Sequence, residues 1–213
     1  VEAFANLGDE YGAVYGDVVE TDASGEIIRE PNFVLRKKLS PGWTLPQGDV
    51  FSKFVTRFFF NVQAALFRLS ILNDFYFPEK YICEDWYFIL FVANKSKIFG
   101  NENVTVFYRR HNESIVAEYY KKDNYYLWVL SNIHLLINVS KFINLSTIQL
   151  TIINIKIQEE LIRYSCQKSS SYIIALKEWF RTWQLPQKKH QLYSLWYINW
   201  YFIKKLFGYK LPF

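Results

Sequence analysis

The chain contains no methionine among its 213 residues, not even at position one. An open reading frame ordinarily starts with Met, so the chain is expected to be a fragment or a trimmed product. Cysteine is nearly as scarce: Cys83 and Cys166 stand far apart, which suits a reducing compartment better than a disulfide scaffold. Cys83 reads as a small buried side chain rather than a nucleophile, because no local signature accompanies it. No run of about 18 uncharged apolar residues occurs, which argues against a membrane-spanning helix. The longest candidate, 127–155, is broken by His134, Lys141 and several Asn. The opening Val1-Glu2-Ala3-Phe4-Ala5-Asn6 lacks the basic start and apolar centre of a secretory signal. Internal repeats and Gly-rich phosphate loops are absent as well.

What is present is aromatic and unevenly charged. With 19 Phe, 16 Tyr and 7 Trp the chain has ample material for a core, and disorder is excluded. Residues 1–115 hold 12 Lys or Arg against 15 Asp or Glu, whereas residues 116–213 hold 13 against 5. A mildly acidic part is thus joined to a basic one. The basic part suits either a solvated Lys-rich helical surface or contact with anionic lipid or nucleic acid.

The stretch that organises the chain is Tyr81-Ile82-Cys83-Glu84-Asp85-Trp86-Tyr87-Phe88-Ile89-Leu90-Phe91-Val92-Ala93. Trp86, Ile89, Leu90 and Ala93 recur at helical spacing, so Glu84 and Asp85 fall at a helix start. A helix N-terminus favours negative charge, and a capping pair explains these carboxylates. A carboxylate facing a cleft and taking a proton from a substrate hydroxyl explains them too.

Before this helix the spacing predicts a helix end over Val1 to Glu10 and a strand over Ala13 to Thr21. Asp22-Ala23-Ser24-Gly25 has the composition of a turn, and Glu26 to Arg29 returns as a short strand. Pro31 to Pro46 reads as an irregular loop, long enough to suggest function. Val50 to Phe58 reads as a helix, Phe59 to Phe67 as a buried strand, and Ser70 to Asn73 as a short helix. After it, Lys97 to Gly100 and Val104 to Tyr108 read as strand material leading into Arg109-Arg110-His111. Four helices are expected in the basic part, over Tyr119 to Ser140, Ser146 to Cys166, Tyr172 to Trp183 and Gln191 to Phe207. The last, with Trp196, Trp200, Lys204 and Lys205, suits packing onto the first part or lying at a lipid surface.

An acidic pair on a helix, followed by a strand ending in Tyr108-Arg109-Arg110-His111, resembles the later half of a family-2 glycosyltransferase domain of the GT-A fold. The resemblance starts at Gly12-Ala13-Val14-Tyr15-Gly16-Asp17. It continues through Asp22 to Ile28, Gly48-Asp49-Val50-Phe51 and Ala64-Ala65-Leu66-Phe67-Arg68, covering about residues 1–115. It implies an α/β fold, a partial GT-A mixed sheet over residues 1–115, followed by an α-helical extension over 116–213.

For the site, the resemblance implies Asp85 as the base of an inverting displacement, with Glu84 orienting the acceptor. It places acceptor contacts at Gly48, Asp49 and Trp86, diphosphate neighbours at Arg109 and Arg110, and a metal or diphosphate contact at His111. A divalent cation, manganese or magnesium, is expected in the complete protein only, together with a nucleotide-sugar donor and a glycan or lipid-linked acceptor. The implied setting is cytoplasmic, at the inner face of a membrane whose anionic surface the helices touch peripherally; nucleic acid is not an expected partner.

The chain departs from the family in three places. No Asp-x-Asp, the family's donor and metal motif, occurs; Glu20-Thr21-Asp22 is the nearest imitation and reads better as a turn approach. Asn61 and Gln63 stand where relatives carry small or hydroxylated residues, and Tyr87 and Phe91 where many carry Asp and Arg. The isolated chain is therefore expected not to turn over a nucleotide sugar. The alternative is a non-enzymatic basic and aromatic helical module that binds a membrane surface or nucleic acid.

Overall fold

The computed structural model describes residues 2–57, 61–77, 81–111 and 125–168, with single positions at 114, 117 and 177. The described residues form a mixed α/β structure around a four-stranded sheet. Strand β1 (Tyr11–Thr21) is its spine. Along one edge β1 pairs in parallel with β4 (Lys97–Arg109), from Tyr11 opposite Lys97 to Thr21 opposite Arg109. Two short antiparallel strands complete the set. β2 (Ile27–Arg29) pairs with the end of β1, and β3 (Ala65–Phe67) pairs with Ala13 to Tyr15.

A strand paired on both edges and covered on both faces cannot show simple in–out alternation. Ala13, Val14, Tyr15, Asp17, Val18, Val19 and Thr21 are all buried. The two strand segments read around 97–108 are one strand, irregular where it faces Tyr15 to Val18. Between β1 and β2, Asp22 builds the expected turn. Its carboxylate accepts the backbone N–H groups of Ser24 and Glu26, each at 2.9 Å, and Gly25 takes φ +95°.

Helix α1 spans Glu2–Ala5. The segment 31–46, expected to be irregular, contains helix α2 (Asn32–Leu39). Pro31 at φ −51° opens it, which costs no helical N–H. Arg36, Lys37 and Lys38 lie in its last turn, where cations oppose the helix dipole. A basic run that looked like loop composition is thus a helix end. Helix α3 is Phe51–Thr56. Of the strand expected over 59–67, the described residues form a 3₁₀ turn at Val62–Ala64 and pair at Ala65–Phe67; a second 3₁₀ turn, Leu69–Ile71, replaces the short helix near Ser70.

Helix α4 (Glu84–Lys95) buries every residue from Trp86 to Ala93 and not just one stripe. It is hemmed in by the sheet, by α3 and by a knot of aromatic rings. Phe75 stacks on Tyr87 at 5.7 Å and meets Phe88 and Phe91 at 4.8 Å. Aromatic packing thus occupies both Tyr87 and Phe91. Such ring pairs contribute about 0.5–1.5 kcal/mol beyond area burial.

Helices α5 (Tyr125–Phe142) and α6 (Thr147–Lys168) answer to the first two helices of the basic part; the two over 172–183 and 191–207 fall outside the described residues. Leu135, Leu136, Val139, Ile143 and Ile153 join the same core cluster as Tyr15, Phe54 and Leu90, so the core is continuous across the compositional boundary at residue 115. Polar ties reinforce it: the Ile82 N–H donates to Ser131 Oγ at 2.9 Å, and Gln149 Nε2 to Asn94 Oδ1 at 3.0 Å. Among the described residues no helix is long and apolar enough to cross a membrane.

Within α6 the buried carboxylate of Glu160, 2% exposed, takes Lys156 at 3.0 Å and Arg163 at 3.5 Å. Removing one partner of a buried pair strands the other charge, whereas removing both does not. Lys156→Met is therefore expected to lower stability by about 3 kcal/mol, and Lys156→Met with Glu160→Leu to recover most of the loss. Urea denaturation of the two variants beside the parent checks this.

Candidate active site

Asp85 lies in the first turn of α4, half-buried, while Glu84 beside it is exposed. The N-cap position is Cys83, whose side chain makes no capping hydrogen bond. Asp85 fills part of that role: its Oδ1 accepts the Trp86 backbone N–H at 2.8 Å. Burial drives the Asp85 pKa above the usual carboxylate value, the neighbouring charge of Glu84 adds to the rise, and the Trp86 N–H opposes it. A carboxylate so shifted is a better proton acceptor near neutrality than an exposed one. The Cys83 thiol is buried and held protonated, first by desolvation and then by Asp85, Glu84 and Glu160. It is a packing residue of low nucleophilicity.

Trp86, expected at an acceptor, is instead 6% exposed, and its indole N–H donates to the Phe54 carbonyl at 2.8 Å. Its ring serves the seam between α3 and α4. Gly48 and Asp49 stand at the start of α3. Gly48 adopts φ +82°, and its N–H and C=O pair with Ile98 at 2.8 and 3.0 Å. Open space surrounds the place of its absent Cβ, so a ligand approaching from that side would meet bare backbone. Asp49 is exposed.

The segment carrying Gly48 is held from two directions. The Tyr15 hydroxyl, fully buried, donates to the Pro46 carbonyl at 2.8 Å. Gly100 of β4 lies beneath Leu45 and Pro46, where a Cβ would stand 2.7 Å from Leu45 Cβ. Only glycine lets the segment lie this close to β4.

A cleft of about 540 Å³ opens elsewhere over the sheet, floored by Val14 and Gly16 of β1 and Ala64 and bordered by Gln63, Asn101 and Glu2. Gln63 borders this cavity and is exposed.

The basic residues after β4 have different surroundings. Arg110 makes a bidentate pair with Glu20, Nη2 to Oε1 at 2.7 Å and Nε to Oε2 at 3.1 Å, and lies over Tyr108 at 5.0 Å. Glu20 also attracts Arg29, at 3.6 Å. Arg109 and His111 are exposed. Among the described residues no three His, Cys, Asp or Glu side chains converge on a possible metal position.

One group escaped the sequence entirely. Asp17 is 5% exposed, with Oδ1 accepting the Val18 N–H at 2.7 Å and Oδ2 the Phe33 N–H at 2.5 Å. It anchors the first turn of α2 to β1. Arg36, from the last turn of that helix, lies over the Trp43 ring at 5.0 Å.

Asp85 titrates higher in the folded chain than unfolded, so the folded state holds this proton more tightly and stability falls as pH rises through the interval between the two values. Asp85→Asn keeps an acceptor for the Trp86 N–H and removes the buried charge. It is expected to stabilise the protein at pH 7, with the gain gone below the ordinary carboxylate value of 3.8. Denaturation curves of parent and variant at pH 7 and pH 3 read out the difference. No protein-family model, curated protein or solved structure matches this chain.

Proposed function

We propose that this chain is the acceptor-side part of an inverting family-2 glycosyltransferase, with Asp85 as the general base. The observation that carries the proposal is the half-buried Asp85 carboxyl at the head of α4, its pKa raised by burial. It follows β3 and precedes a strand that ends in Arg109-Arg110-His111, the order of elements on which the resemblance rests. Asp85 accepts the proton of an acceptor hydroxyl as that oxygen bonds to the anomeric carbon. The bond from that carbon to the diphosphate breaks, and a nucleoside diphosphate departs with its electron pair. Attack opposite the leaving group inverts the anomeric centre. Held by the Trp86 N–H, the carboxylate has little reorientation to undergo before the proton moves.

Glu84, exposed beside it, orients the acceptor, the exposed Asp49 supplies a further polar contact, and the bare Cβ position of Gly48 leaves room for the acceptor to approach. In the complete protein a divalent metal would neutralise the leaving diphosphate. Among the described residues no metal-binding group assembles, and the sequence has no Asp-x-Asp. The acceptor is proposed to be a growing glycan or a lipid-linked sugar at the inner face of a membrane.

The test is release of nucleoside diphosphate by the protein expressed from its complete reading frame, with a panel of nucleotide sugars and a membrane extract as acceptor source. Asp85→Asn is expected to slow release by about 10² to 10⁴, the usual contribution of a general base, while remaining folded. Equal rates for parent and variant would remove Asp85 from the mechanism and favour the non-enzymatic alternative.

A further inference from the structure

The head of α4, where the proposed base stands, is anchored on both sides of Asp85. One residue after it, the Trp86 indole N–H reaches the Phe54 carbonyl of α3 at 2.8 Å. Three residues before it, the Ile82 N–H donates to the Ser131 hydroxyl of α5 at 2.9 Å. Between these anchors the helix opens with little help of its own. Cys83, at the N-cap position, makes no side-chain capping bond. The turn that carries Asp85 is therefore located by partners on two other helices, where a capping side chain would ordinarily locate it.

Ser131 is well placed to serve as one of these partners. It is 8% exposed, and Leu135, Leu136 and Val139 further along α5 lie in the core cluster at 0–1% exposure. The acceptor thus sits on a helix that the core holds still. Without the hydroxyl, the Ile82 N–H is left unpaired in a half-buried place, and the helix head must shift or admit water to satisfy it. Either change reaches Asp85, because burial is what sets this carboxyl apart from an exposed one. A misplacement of about 1 Å is enough to slow a positioned reaction by about 10².

We propose that Ser131 is a positioning residue for Asp85: through the Ile82 N–H it fixes the first turn of α4 and limits the water that reaches the carboxyl. The helical part of the chain then contributes to the candidate site as well as to the core. The effect on rate rests on the reading of Asp85 as a base; the effect on the Asp85 proton does not.

The test follows the Asp85 carboxyl carbon by NMR through a pH titration of the whole chain, in the parent, Ser131→Ala, Ser131→Thr and Gln149→Ala. Gln149 ties α6 to the far end of α4, its Nε2 donating to Asn94 Oδ1 at 3.0 Å, roughly 13 Å along the helix from Asp85. Ser131→Ala is expected to raise the Asp85 acid dissociation constant at least about threefold, toward that of an exposed carboxylate, as water enters. Ser131→Thr keeps a hydroxyl and is expected to stay close to the parent. Gln149→Ala is expected to lower the urea midpoint and leave the Asp85 titration unchanged. In nucleoside diphosphate release by the protein from its complete reading frame, Ser131→Ala is expected to lower kcat about tenfold with KM little changed. An Asp85 titration that is the same in parent and Ser131→Ala, or that moves as far in Gln149→Ala or Ser131→Thr, overturns the proposal. If Asp85→Asn leaves release unchanged, the base reading falls, and the NMR titration alone decides the role of Ser131.

Discussion

The hydrogen bond from the Tyr15 hydroxyl to the Pro46 carbonyl connects more of this molecule than any other single contact. The phenol is fully buried and burial pushes its pKa up, so it remains a donor at every pH the fold survives. An unpaired donor in that place would cost about 1–3 kcal/mol. The bond fixes residues 45–48 against the central strand, and the missing side chain of Gly100 lets them lie flat there. From that fixed segment the chain turns at Gly48 into α3. Phe54 of α3 packs edge-on against Tyr15 and offers its carbonyl to Trp86 of α4. The placement of Asp85 therefore runs back, through two helices, to one tyrosine in the middle of β1.

Three carboxylates, two buried and one half-buried, meet the cost of losing water in three ways. Asp17 takes two backbone N–H groups and works as a structural clip. Glu160 surrounds itself with Lys156 and Arg163 on its own helix. Asp85 has one backbone donor and a like-charged neighbour, and its pKa rises accordingly.

Helices α5 and α6 belong to the same core as the sheet. Side chains of α5 and α6 complete the core around α4, and Ser131 of α5 receives the N–H of Ile82, three residues before Asp85. A change on those helices therefore reaches the candidate base through packing alone.

The sequence by itself determined what local physics controls. β1, the turn at Asp22, β2, the helix opening at Glu84 and the two long helices after residue 125 all follow from periodicity, turn composition and apolar content. Glu84 and Asp85 as a helix-head pair, and the basic run after β4, were legible for the same reason. Tertiary structure decided the rest. The basic run 36–38 became a helix end because Asp17, far away in sequence, captures the N–H of Phe33. Trp86 turned inward because Phe54 presents a carbonyl to it. Arg110 pairs with Glu20, 90 residues earlier, because β1 and β4 run in parallel register.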